Sequence, residues 1–170
     1  MKSTNILLDE NFRAKVADFG LSRLAPAEAS HVSTGPQGTP GYLDPDYQQC
    51  YRLSDKNDVY SFGVVLVELI SAQKAVDITR EKRDIGLANL AVSKIQCGAL
   101  HELVDPNLEI DSNPHVKAMV TGVVELAFRC LAYEKDDQPN MTEVAAQLQL
   151  LKQVEHGYLG NQRSSIDFIH

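Results

Sequence analysis

The segment "SDKNDVYSFGVVLVELI" constrains the fold of this chain more than any other. Val59, Phe62, Leu66 and Leu69 recur at helical spacing, and Val64, Val65 and Val67 carry apolar side chains round to the remaining sides. A helix apolar almost all round has no face to offer water, so it belongs at the centre of a domain. Ser54 stands where its N-cap should be. The 170 residues, 44% of them hydrophobic, suffice for one domain built around such a helix.

The elements available to surround it are mostly helical. Residues 87–96 read as a short helix with Gly98 as its stop signal. Pro114 suits the first turn of the next helix, on which Val116, Val120, Val123, Ala127 and Leu131 line one face, widened by Val124 and Phe128. A last helix starts near Met141, where Asn140 and Glu143 form a capping-box pattern, and its core face is Val144, Leu148 and Leu151. Ahead of the central helix, "NILLD" and "AKVAD" read as two short strands making a hairpin over residues 5–18. Residues 20–54 are rich in Gly, Pro, Ser and Thr and are expected to form one long loop, functional or mobile. After Glu155 periodicity is lost, so residues 156–170 are expected as a flexible C-terminal tail. The expected class is mainly α with a small β-hairpin.

Composition narrows the function. Sixteen Lys and Arg stand against 23 Asp and Glu, a net charge of -7, and no basic stripe interrupts the acidic balance. That argues against nucleic acid or an anionic membrane as partner. Cys50, Cys97 and Cys130 are too scattered for a disulfide framework or a metal cluster, and read as reduced, mostly buried thiols of a cytoplasmic protein. The five histidines show no pair at ligand spacing. The run "VVLVELI" is too short to cross a bilayer and contains Glu68.

The chemistry concentrates at the start of the chain. Asp18-Phe19-Gly20 closes the second strand, placing a carboxylate beside a residue that lets the backbone turn sharply. Such a carboxylate can hold a metal ion against phosphates. Asn5 lies one hairpin earlier, so both side chains can point into one site. Their oxygens suit a hard divalent cation such as Mg²⁺. Lys2, three residues before Asn5, adds a positive charge for a transferring phosphoryl group.

The string "KSTNILLDENFRAKVADFGLSR" resembles the catalytic and metal-binding loops of eukaryotic protein kinases. "GTPGYLDPDY" and "SDKNDVYSFGVVLVELI" are similar to the end of the activation segment and the central helix of the same fold. The pattern is that of plant receptor-like serine/threonine kinases of the wall-associated type, from Lys2 to about Leu151. The resemblance implies the C-terminal lobe of that fold, a partial kinase domain over residues 1–155. It also implies roles for individual residues. Asp18 is the main Mg²⁺ ligand, Asn5 the ligand of a second Mg²⁺, Lys2 the lysine near the transferred phosphate, and Leu7 the apolar floor beneath an adenine ring. Residues 18–46 become the activation segment, with Phe19 and Gly20 at its start and Ser30, Ser33, Thr34 and Thr39 as possible phosphosites. A new phosphate would order the loop if an Arg lies near enough, and Arg23 is one choice. Thr39 to Tyr42 form the platform for a substrate hydroxyl. Asp58 grips backbone N–H groups of the catalytic loop, or simply complements the helix N-terminus.

The chain departs from the family pattern in two places. The family's catalytic loop reads His-Arg-Asp, one residue, Lys, two residues, Asn, and this sequence supplies only Lys2 to Asn5. It contains no G-x-G-x-x-G motif. An N-terminal truncation is therefore expected. An orienting group contributes ~10²–10⁴-fold in rate, so the chain alone is expected to bind MgATP weakly or not at all and to be inactive. Stability is expected to be marginal, with one face of Val59 to Ile70 uncovered and Asp58 buried without donors. The second departure is Asp46 where the family has Glu, and Gln138 where it has the Arg that pairs with that Glu. With a shorter acid and a neutral partner, this clamp is expected to be weakened and the activation segment loosened, or the two keep a single hydrogen bond.

Two functions follow from these readings. The first is part of a serine/threonine kinase whose parent transfers the ATP γ-phosphate to protein substrates, anchored at the plasma membrane with the kinase domain on the cytoplasmic side. The second is a non-catalytic, pseudokinase-like binding module or decoy that engages a related active kinase.

Overall fold

A computed structural model describes residues 1–18, 31–35 and 37–166, with side chains as far as Gln153. The chain opens with a 3₁₀ turn, Ser3–Asn5, and an antiparallel hairpin of β1 (Ile6–Leu8) and β2 (Ala14–Val16). Their register pairs Ile6 with Val16, Leu7 with Lys15 and Leu8 with Ala14. Asp9 shapes the connecting loop: its Oδ1 accepts from the N–H groups of Asn11 at 2.9 Å and Arg13 at 3.0 Å. Those amides, Arg13 first, hold the Asp9 carboxyl below its ordinary range.

The expected loop over residues 20–54 is broken up by structure in its described part. β3 (Val32–Ser33) pairs antiparallel with β4 (Arg52–Leu53), and α1 (Pro45–Cys50) lies between them. Asp44 starts α1 because its Oδ1 accepts from Asp46 N–H at 2.7 Å and Tyr47 N–H at 3.4 Å, with Pro45 in the first turn.

The central helix is α2 (Asp55–Ser71), and it begins at Ser54 as the sequence suggests, with Asn57 Oδ1 accepting from the Ser54 N–H at 2.6 Å. α3 (Leu87–Gln96) and α4 (Pro114–Cys130) pack on it, and α5 (Met141–Ile166) packs on α4. The fold is mainly helical. Gly98 ends α3 with φ +68°, and the Asn140–Glu143 capping box is formed at 2.8 and 2.9 Å. α5 continues to Ile166, beyond the Glu155 end read from the sequence. Propagation adds a hydrogen bond for each residue fixed, so a nucleated helix can outrun its apolar face.

The core joins Val59, Val64, Val67, Leu87, Ala91, Leu103, Ala127, Cys130 and Val144, all at most 1% exposed. The bare helix face expected from the sequence is largely absent. Val59, Val65, Leu66 and Ile70 are buried, and Leu69 alone of the apolar positions on α2 is exposed, at 69%. α3, α4 and the chain around Ala75 cover the rest. Exposed apolar side chains sit instead on the hairpin, at Leu7, Leu8, Phe12 and Val16. The thiols also differ from expectation: Cys50 and Cys97 are exposed and only Cys130 is buried. The first two fall at the ends of short helices, outside the packing seams.

Candidate functional site

The hairpin register builds the site. Pairing Ile6 with Val16 carries the neighbouring residues together, and Ala17 N–H donates to Asn5 O at 2.7 Å. The Asn5 side chain then meets Asp18, its Nδ2 donating to Asp18 Oδ2 at 3.2 Å. Asp18 has φ +63°, a left-handed conformation that Asp tolerates better than most residues. Lys2 O accepts from Asn5 N–H at 3.0 Å, which fixes the turn carrying both polar side chains. Lys2, Asn5 and Asp18 line one cavity of about 630 Å³, together with Thr39, Tyr42 and Asp58.

Three elements are tied together at the edge of that cavity. Tyr42 donates its hydroxyl proton to the Glu68 carboxylate, 2.8 and 2.9 Å from its two oxygens. With that proton committed, Ser3 must donate to the Tyr42 oxygen at 3.1 Å. Partial burial, and then the Glu68 charge, push the Tyr42 hydroxyl up in pKa. Gly41 allows the close approach beneath it, because a Cβ there would stand 2.6 Å from Val76 Cγ2 and φ is +90°.

The remaining residues singled out in the sequence divide. Leu7 lies on β1, 55% exposed, and does not line the cavity. Thr39 is exposed at the cavity, and Thr34 also lines it, while Ser33 faces outward. Phe19, Gly20, Ser30 and Arg23 lie outside the described residues. Asp58 is not a buried orphan. Its side chain is 70% exposed, with Oδ1 3.7 Å from the Met1 amino group, so it carries no large desolvation cost. Among the described residues the buried carboxylate is Asp44, 4% exposed, whose Oδ2 has no hydrogen-bond partner there.

Asp46 and Gln138 do not share a hydrogen bond. Lys135 Nζ approaches Asp46 Oδ2 at 2.8 Å and Ser54 Oγ at 3.4 Å. Gln138 is buried, and its Nε2 donates to Ala132 O at 2.9 Å. The shorter acid finds its cation three residues earlier in the chain than the sequence comparison placed it. Sequence reasoning overlooked Lys135 and Asp44. Asp-Pro was a readable helix start for Asp44, but no local signal marks Lys135 or the contact between Tyr42 and Glu68.

A divalent cation would find two side chains at this site, and Mg²⁺ is ordinarily bound through one or two carboxylates plus phosphates and waters. The paired Asn5 and Asp18 fit that requirement. No group of three or more His, Cys, Asp or Glu among the described residues forms an all-protein metal cage.

Residues 1–150 match the protein kinase domain, and the chain belongs to that family. Among curated relatives from Arabidopsis thaliana, it is 61% identical over 155 residues to leaf rust 10 disease-resistance locus receptor-like protein kinase-like 1.4, covering 91% of this chain and 23% of the relative. It is 58% identical over 152 residues to wall-associated receptor kinase-like 14, covering 89% and 22%. Wall-associated receptor kinase-like 21 is 49% identical over 173 residues, covering 98% and 28%. The chain thus spans about a quarter of the length of these receptor-like kinases. No helix among the described residues is long and apolar enough to cross a membrane.

Proposed function

We propose that this chain forms the metal-facing and substrate-facing part of a serine/threonine protein kinase domain in a receptor-like kinase. The observation that carries the reading is the 3.2 Å contact of Asn5 with Asp18 in a cavity shared with Lys2 and Thr39. Asn5 and Asp18 would hold Mg²⁺ through side-chain oxygens. MgATP supplies the transferable phosphoryl group when bound. The amide of Asn5 orients the Asp18 carboxylate, and Lys2 adds positive charge where phosphate charge must be offset. Thr39 offers its backbone and hydroxyl at the cavity mouth, where a protein substrate's Ser or Thr would lie. Tyr42, anchored to Glu68 and Ser3, holds that platform against α2. The whole protein would sit at the plasma membrane with this domain on the cytoplasmic side.

The 170 residues hold no Gly-rich phosphate loop, and as an isolated polypeptide they are expected to transfer no phosphate. The experiment joins them to the N-terminal portion of the kinase domain of an Arabidopsis relative. The chimaera should phosphorylate a protein substrate with ATP and Mg²⁺. Asp18→Asn should lower the rate at least ~10²-fold, the usual scale for losing one electrostatic stabiliser. An Asp18→Asn chimaera as active as its parent would remove the reading.

A further inference from the structure

The chain between α3 and α4 builds a second cavity, a groove of about 530 Å³. No residue lines both it and the cavity that holds Asn5 and Asp18. Its apolar part is Val104, Pro106 and Ile110. Val104 is buried and Ile110 half-buried, because both pack with Ile70 of α2 and with Val120 and Val124 of α4. Asp105 N–H donates to Ile70 O at 2.9 Å and ties the segment to the end of α2. Asp105 Oδ1 accepts from the Asn107 N–H and Nδ2, both at 2.9 Å, which starts a 3₁₀ turn over Pro106–Leu108. Glu109 ends that turn with φ +48°, its N–H on Pro106 O at 3.1 Å. Ser112 closes the next one, its N–H at 3.0 Å and its hydroxyl at 2.8 Å both donating to Glu109 O. The groove wall is held by its own hydrogen bonds, so a ligand need not order it.

The rim is acidic. Asp105, Glu109 and Asp111 line the groove, and no lysine or arginine does. Glu109 is exposed and enters no ion pair among the described residues. Lys117 Nζ meets Asp111 at 3.4 Å, but the two side chains are 61% and 86% exposed, so another cation can take its place. At one end His101 Nε2 lies 3.9 Å from Glu102 Oε1, while Lys94 bonds the other oxygen of Glu102. The carboxylates do not converge on one point: among the described residues no three His, Cys, Asp or Glu could hold a metal ion together. Their complement is a row of spaced cations. Lys and Arg bury their stems on apolar surface while keeping the charged head in water, and the apolar floor between the acids offers that surface.

We propose that this groove docks an extended basic segment of a partner protein. One arginine or lysine of the segment lays its stem on Pro106 and Ile110 and sets its charge at Glu109. A second takes the place of Lys117 at Asp111. The cavity falls within the ~300–1,000 Å³ range of sites that enclose a small ligand, so it takes the few residues around one anchor. The net charge of -7 on the chain adds long-range attraction for the same partner. The inference stands on the groove and its rim, and does not rest on the proposed kinase function.

The test uses the full 170-residue chain. The probe is a short fluorescein-labelled peptide in which arginines flank a leucine, beside the same peptide with glutamates for the arginines. Anisotropy should show saturable binding of the arginine peptide alone. That binding should weaken as NaCl rises from about 0.1 to about 1 M, where the Debye length falls from ~10 to ~3 Å. Glu109→Gln should weaken it ~2–5-fold, the scale of one exposed ion pair. In amide NMR spectra the signals of Asp105, Glu109 and Ser112 should move with the peptide, and those of Asn5 and Ala17 should not. Equal binding of the two peptides, signals that move around Asn5 instead, or no binding at about 1 mM peptide would overturn the proposal. Self-association of the chain through the groove, seen by sedimentation and dispersed by Glu109→Gln, would give the site to a second copy and overturn the assigned partner. Should Glu109→Gln fail to fold, the peptide exchange carries the same test on the unaltered chain. The chimaera's phosphate transfer is untouched by any of these outcomes, so the two readings fail separately.

Discussion

Breaking the Asp46–Lys135 pair tests how the segment after the cavity is held. The pair joins the first turn of α1 to the chain ahead of α5, at 2.8 Å, and Lys135 also reaches Ser54 at the start of α2. The side chains are 50% and 27% exposed, so solvent screens the attraction. Exposed pairs contribute ~0.2–1 kcal/mol, and the partial cover over Lys135 puts this one near ~1 kcal/mol. The Lys135 hydrogen bond, and then its charge, hold the Asp46 carboxyl below its ordinary range. A depressed carboxyl pKa stabilises the fold above the unfolded value of about 4, and that contribution is lost as pH falls through the folded value. The assay is a double-mutant cycle of Lys135→Met and Asp46→Asn, by urea melts at neutral pH and at points below pH ~4. A coupling of about 0.5–1 kcal/mol is expected at neutral pH, with Tm lowered by ~2–4 °C in Lys135→Met. The coupling should shrink as pH drops below ~4. A coupling under ~0.2 kcal/mol at neutral pH, or one that survives full protonation of Asp46, would refute the reasoning.

Four further experiments probe the core. Gly63→Ala would place a Cβ 2.8 Å from Cys130 Cβ and 3.2 Å from Leu131, atoms held close to the α4 backbone. Overpacking of ~1–3 kcal/mol outweighs the ~1 kcal/mol gain in helix propensity, so denaturant melts should show a net loss. Gly122→Ala meets Leu151 first, whose side-chain end can turn aside at a cost that offsets the gain in helix propensity, so stability should change by less than about 0.5 kcal/mol. Burial, assisted by Asp44, pushes the Tyr60 hydroxyl up to about 12. A raised pKa means stability that is present below pH ~10 and lost between ~10 and ~12, by ~2–3 kcal/mol in all. Alkaline melts should show this slope, and Tyr60→Phe should reduce it, leaving the parts contributed by Tyr42 and Cys130. The Cys130 thiol, pushed by burial up to about 11, should be alkylated last, well after the exposed Cys50 and Cys97, in timed mass spectrometry.

What could be read in the sequence follows the distance over which each feature is specified. α2, α3, α4 and the start of α5 were legible because Ser54, Gly98, Pro114, Asn140 and Glu143 mark their ends within one turn of the residues they serve. The hairpin was legible for the same reason, and with it the meeting of Asn5 and Asp18, since one β-register decides both. α1 was hidden because its Asp44-Pro45 signal stands among turn residues, and the two-residue strands β3 and β4 are too short to show any alternation. The partners that support the site were not legible at all. Asp46 finds Lys135, and Tyr42 finds Glu68, only after α2 and the chain before α5 have packed. Asp44 and Asp58 make the same point in opposite directions: nothing in their local sequence says which is buried, and packing places the orphaned carboxylate oxygen at Asp44 and leaves Asp58 in water. The metal-facing pair is thus a local product of one hairpin, while the platform facing the substrate is held by contacts that only the assembled helical core creates. Loosening the core, as in Gly63→Ala, should therefore disturb the Tyr42 platform before it disturbs the approach of Asn5 to Asp18.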